Sequence, residues 1–159
     1  MSDIVEYGRA SLLRELENWV VGKTTWQAMI AHGTRPIINF GKPMPPIRPG
    51  RALRAEFQFF ISSAPWRLMR DNVILTGKSD PLEIMEPEMR TLSGNRLLKI
   101  HIPRDTLDLE LEFDNGYRFM TFRSSRIYTP WMFYTLENVI YLDIDGKFKS
   151  EPCEMEFLA

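Results

Sequence analysis

Leu12, Leu13, Leu16, Trp19 and Val20 recur at spacings of three and four residues, while Arg14, Glu15 and Glu17 fall off that stripe. A stripe of this period predicts an amphipathic helix over 9–21, ending at Gly22. Beyond Gly22 the period shortens. Apolar runs bounded by turn residues predict strands near 25–31, 35–40, 53–62, 65–69 and 72–76. A second series is predicted near 95–102, 106–113, 117–123, 131–135 and 138–143. Between the series, 78–90 carries Pro81, Pro87 and several acidic side chains, as expected of a connector with a short turn of helix. The clearest alternation is Leu107, Leu109, Leu111 and Phe113 against Asp108, Glu110 and Glu112, one face buried and one wet. Asp114-Asn115-Gly116 then supplies a tight hairpin turn.

The two series share landmarks in the same order. Val20-Val21-Gly22 aligns with Leu92-Ser93-Gly94, Ile30 with Ile102, and Phe40-Gly41 with Phe113-Asp114. Phe57 aligns with Phe119, Phe60-Ile61-Ser62-Ser63 with Phe122-Arg123-Ser124-Ser125, Pro65-Trp66 with Pro130-Trp131, and Asn72-Val73-Ile74 with Asn138-Val139-Ile140. The expected class is α+β, mainly β: an N-terminal helix plus two tandem diverged antiparallel β-meander repeats, packed as one sandwich or partly open barrel. One domain spans 1–159, with repeat one at 22–80, repeat two at 92–146 and a C-terminal tail at 147–159.

The copies diverge most at the first hairpin. Where the second has Asp-Asn-Gly, the first has a segment from Gly41 to Arg51 holding Pro43, Pro45, Pro46 and Pro49. Such a segment is expected to be stiff, extended and unable to pair in a ladder. Arg48, Arg51 and Arg54 make its far side basic. A long loop that breaks a repeat is a natural place for binding, so Arg48, Arg51, Arg54, Pro45 and Pro46 are the candidate binding residues.

Composition narrows the function classes. The 159 residues include 20 basic and 21 acidic side chains, a formal net charge of −1, which argues against a nucleic-acid binder working through general electrostatics. Cys153 is the single cysteine, excluding an internal disulfide. No apolar run approaches the roughly 20 residues that span a bilayer, and no signal peptide is visible, so a cytoplasmic location is expected.

The inventory of reactive groups is thin. His32, His101 and Cys153 show no metal-ligand spacing, and no metal or cofactor is expected. Ser62-Ser63 and Ser124-Ser125 hold equivalent repeat positions without a nucleophile elbow, and Glu110 and Glu112 are the wet side of a strand; no catalytic residue is assigned. Asp143-Ile144-Asp145-Gly146-Lys147 opens like a calcium loop, but the later ligands do not follow. Trp26, Trp66, Trp131, Phe133 and Tyr134 are either core or a stacking platform, with core as the default.

A helix ending in Val-Gly, a strand pair ending in Phe-Gly, then Pro-Trp, then Asn-Val-Ile, over residues 12–146, resembles the small bacterial immunity-type proteins found beside polymorphic toxins. The resemblance implies a non-enzymatic protein that acts by binding a protein partner, and it transfers no functional residue. The alternatives are a binder of a small molecule or nucleotide through aromatic and arginine side chains, and an enzyme without a familiar motif. A homodimer is also open.

Overall fold

A computed structural model of the chain describes residues 3–153. Helix α1 (Arg9–Val20) buries Leu12, Leu16 and Val20 completely, as the stripe requires. It ends as Val21 leaves the helical conformation and Gly22 takes φ +90°, a value that a Cβ disfavours. The strands are β1 (Val5–Tyr7), β2 (Thr25–Ala31), β3 (Arg35–Met44), β4 (Arg54–Ile61), β5 (Trp66–Arg70) and β6 (Val73–Gly77). After helix α2 (Leu82–Arg90) come β7 (Leu97–His101), β8 (Glu110–Phe113), β9 (Tyr117–Thr121), β10 (Trp131–Thr135), β11 (Asn138–Leu142) and β12 (Phe148–Pro152). The architecture is mainly β, with two antiparallel sheets and few helices.

Several expectations need correction. The strand expected over 106–113 shrinks to Glu110–Phe113, because Leu107 takes φ +59° and its N–H closes a turn onto the Pro103 carbonyl at 2.8 Å. The burial alternation survives, with Leu109, Leu111 and Phe113 all in the core. The stretch read as a C-terminal tail contains β12, which pairs with both β1 and β11; residues 154–159 of that stretch lie outside the described residues. Strand β1 had no signal, since Val5 and Glu6 are both exposed and no alternation marks them. Finally, β3 runs on to Met44, so Pro43 does sit in a ladder, opposite Ala55. It is tolerated because β2 begins pairing only at Phe40, so β3 is an edge by the time it reaches Pro43.

One sheet has the order β1-β12-β11-β10-β4-β3-β2, the other β6-β5-β9-β8-β7. Strands β2, β3 and β4 form a meander in the larger sheet, after which the chain crosses and lays down hairpin β5–β6 in the smaller one. Strands β7, β8 and β9 form a meander in the smaller sheet, after which the chain crosses back and lays down β10–β11 in the larger. The crossings match in register. Trp66 opens β5 opposite Thr121, the last residue of β9, and Trp131 opens β10 opposite Ile61, the last residue of β4. Phe59 lies opposite Phe133 and Phe119 opposite Leu68.

Where the two meanders begin, the backbone bonds are reciprocal. Gly22 N–H donates to Leu97 O at 2.8 Å and Gly94 N–H to Thr25 O at 2.8 Å. Leu97 N–H donates to Lys23 O and Thr25 N–H to Asn95 O, both at 2.9 Å, around an antiparallel bridge between Thr24 and Arg96.

A large apolar cluster draws on both sheets and both helices, with Phe40, Phe59, Phe133, Trp131, Phe119 and Leu111 among its buried members. The larger sheet is also buried on its other face, by Ile37, Ala55, Phe60, Tyr134 and Val139. Burial on both faces explains why 59–61 reads as an unbroken apolar run rather than an alternation.

Candidate functional site

The Pro-rich segment is reduced by the extension of β3 to a connection over 45–53. Its conformation is pinned from within: Arg54 Nε donates to the Pro45 carbonyl at 2.8 Å, and Arg51 N–H closes a turn onto the Arg48 carbonyl at 3.3 Å. Arg54 therefore spends part of its guanidinium on the loop itself. Arg48 and Arg51 are exposed on the turn, as is Pro45, while Pro46 is half-buried. Pro46, Ile47 and Arg54 come together along an open hollow of about 900 Å³, completed by Leu136, Glu137, Pro152 and Cys153. Apolar and arginine side chains on a pre-ordered loop are the composition that binding hot spots favour.

The same loop borders a second cavity. Ala52 and Leu53 line a hollow of about 320 Å³ with Trp26 and Met29 of β2, Ile37 of β3 and His32. Gln27, Asn39 and Gln58 also line it, and these three amides stand side by side on successive strands, Gln27 opposite Asn39 and Asn39 opposite Gln58. They bond in series: Gln58 Nε2 donates to Asn39 Oδ1 at 2.8 Å, and Asn39 Nδ2 donates to Gln27 Oε1 at 3.0 Å. Asn39 is 2% and Gln58 4% exposed. The row leaves Gln58 Oε1 buried without a partner, and the Trp26 indole Nε1–H is buried without one too. An orphaned buried polar group costs about 1–3 kcal/mol, and these two belong to side chains that line one cavity. The signal was present in the sequence: Gln58 interrupts Phe57-Gln58-Phe59-Phe60 and Asn39 interrupts Ile37-Ile38-Asn39-Phe40, and a polar residue inside a buried strand is more informative than the apolar ones around it.

The remaining candidates resolve into structural roles. Of the aromatics weighed as a stacking platform, Trp66, Trp131, Phe133 and Tyr134 are buried. Only Trp26 stands half-buried, beside the smaller cavity. Ser62 and Ser63 both donate their hydroxyls to the Thr129 carbonyl, tying the two chain crossings together. Glu110 pairs with Arg118 on the neighbouring strand. At the calcium-like segment, Lys149 Nζ lies 2.6 Å from Asp143 Oδ2 and 3.0 Å from Asp145 Oδ2. Its ammonium takes the place a cation would need, and it holds both carboxyls below the usual carboxylate range, chiefly through the hydrogen bonds it donates. His32 sits beside the smaller cavity and His101 on β7 of the other sheet, both exposed. Burial pushes the Tyr134 phenol up, and the neighbouring Cys153 adds to the shift.

Compared with known proteins, the chain matches no family model, no curated protein and no solved structure.

Proposed function

We propose that the chain is a non-enzymatic binding protein of the immunity type, which recognises a protein partner through the loop 45–53 and the hollow beside it. The observation that carries this reading is the contrast between two hairpins. Strands β8 and β9 are closed by Asp114–Gly116 alone, whereas β3 and β4 are joined by a connection over 45–53. Folding a hairpin in this frame needs only the short turn, so the longer connection serves something else. The loop offers Ile47 and Leu53, exposed at 37% and 53%, beside Arg48 and Arg51. Its internal bonds lower the ordering cost of contact. We place the protein in the cytoplasm, where its lone thiol stays reduced; among the described residues no helix is long and apolar enough to cross a membrane.

The two halves are, on this reading, diverged copies of one motif that exchange their terminal hairpins. The matched crossings at Trp66 and Trp131 and the reciprocal bonds at Gly22 and Gly94 support it.

The test is replacement of 45–53 by Asp-Asn-Gly. The shortened protein is expected to keep its fold by circular dichroism and to lose a partner that the parent chain retains in affinity capture from its own cells. Equal retention by both proteins, with both folded, would count against the loop as the recognition surface.

A further inference from the structure

We infer that the cavity between β2 and the loop 45–53 is a binding site for a small, planar, uncharged molecule carrying an amide or lactam edge. The inference does not depend on the partner reading, since it concerns a different hollow, which shares with the partner surface only Ala52 and Leu53 of the loop.

Size sets the first limit. A volume of about 320 Å³ holds about ten waters at their liquid share of volume, and so a molecule of about ten heavy atoms. That is too large for a single ion and too small for a nucleotide. Charge sets the second limit. No Asp, Glu, Lys or Arg lines the cavity, and His32 is its one titratable neighbour among the described residues. An ion entering here would lose its hydration with nothing of opposite sign to meet it. A neutral molecule incurs no such penalty.

Hydrogen-bonding capacity then fixes the chemistry. Gln58 Oε1 is a buried acceptor and Trp26 Nε1–H a buried donor, both unpartnered, on side chains that line the same cavity. Turned toward the hollow, the two would be met by one ligand edge that carries an N–H donor and a C=O acceptor together, as a primary amide or a lactam does. The orientation of the amide row matters to the match. Reversing all three amides would preserve both inter-residue bonds and turn Gln58's unpartnered atom from acceptor to donor. Two donors would then face the ligand, so an amide edge is met only while Gln58 presents Oε1. Trp26, Met29, Ile37 and Leu53 supply the apolar and aromatic surface that a flat ring needs.

The test is a titration of isotope-labelled protein with benzamide, set against benzoate and benzylammonium, which have the same ring and opposite charges. The readouts are the indole N–H signal of Trp26 and the side-chain amide signals of Gln27, Asn39 and Gln58. Benzamide is expected to move these signals saturably, with a dissociation constant on the order of 1 mM or tighter, and both ions to bind at least about tenfold more weakly. Gln58→Met and Trp26→Phe should each weaken benzamide by about tenfold. Trp26 is half-buried, so Trp26→Phe keeps the comparison available if Gln58→Met fails to fold. The inference is overturned if benzamide leaves the signals unmoved, if either ion binds as well, or if the folded variants bind like the parent.

Discussion

Phe40 of β3 and Phe113 of β8 stack across the two sheets, with ring centroids 6.1 Å apart and planes 8° from parallel. Each closes its own hairpin register as well, Phe40 opposite Thr25 and Phe113 opposite Leu97. The contact therefore joins the β2–β3–β4 meander to the β7–β8–β9 meander. A double-mutant cycle with Phe40→Leu and Phe113→Leu should show a coupling of about 0.5–1.5 kcal/mol by denaturant titration. Additive losses would mean that the rings stabilise the core separately.

The two crossing tryptophans should respond differently to the same change. Trp131 is 1% exposed, and its Nε1–H donates to the Leu107 carbonyl at 3.2 Å; Trp66 is 2% exposed, and its Nε1–H has no partner. Trp131→Ala should cost about 3–5 kcal/mol, as truncation of a buried ring does. Trp131→Phe should cost about 1 kcal/mol more than Trp66→Phe, because only the former breaks a hydrogen bond. Equal costs for the two phenylalanine variants would show that the indole bond contributes nothing.

Legibility followed burial. The stripe in α1 and the runs in β2, β4, β10 and β11 were visible because each carries several buried apolar side chains between turn residues. Strand β1 was not, because its side chains bury little and its place is set by pairing with β12. The exchange of hairpins between sheets had no local signal either. It depends on where the chain goes after Ile61 and Thr121, and the residue types alone do not encode that. For the candidate site, the loop is legible through its prolines, while the amide row is legible only as separate polar residues within strands: Gln27, Asn39 and Gln58 become a row only once three strands are in register.

Gly22 and Gly94 both take φ +90°, with open space where a Cβ would stand. Gly22→Ala and Gly94→Ala should therefore each cost about 1–2 kcal/mol from backbone strain alone, and the two costs should agree. A large difference between them would argue against equivalent positions in the two halves.

Lys149 sets an acid response. Its hydrogen bonds lower Asp143 and Asp145 from the ordinary value of 3.8. The stabilisation is thus present above that value and lost as the pH falls through the lowered folded value. In unfolding titrations between neutral pH and the region below 3.8, Lys149→Met should flatten the acid-side loss seen in the parent. An unchanged acid slope would show that the pair stabilises the native state no more than the unfolded one.

The recognition surface can be located directly with a photoreactive p-benzoylphenylalanine placed at Ile47, at Leu53 or, as a control, at Ile74 of β6, all three exposed. The proteins are irradiated in the cells that make them. The expected result is one crosslinked species of the same mass from positions 47 and 53 and none from position 74. A crosslink from position 74 with none from 47 or 53 would contradict the loop as the binding surface.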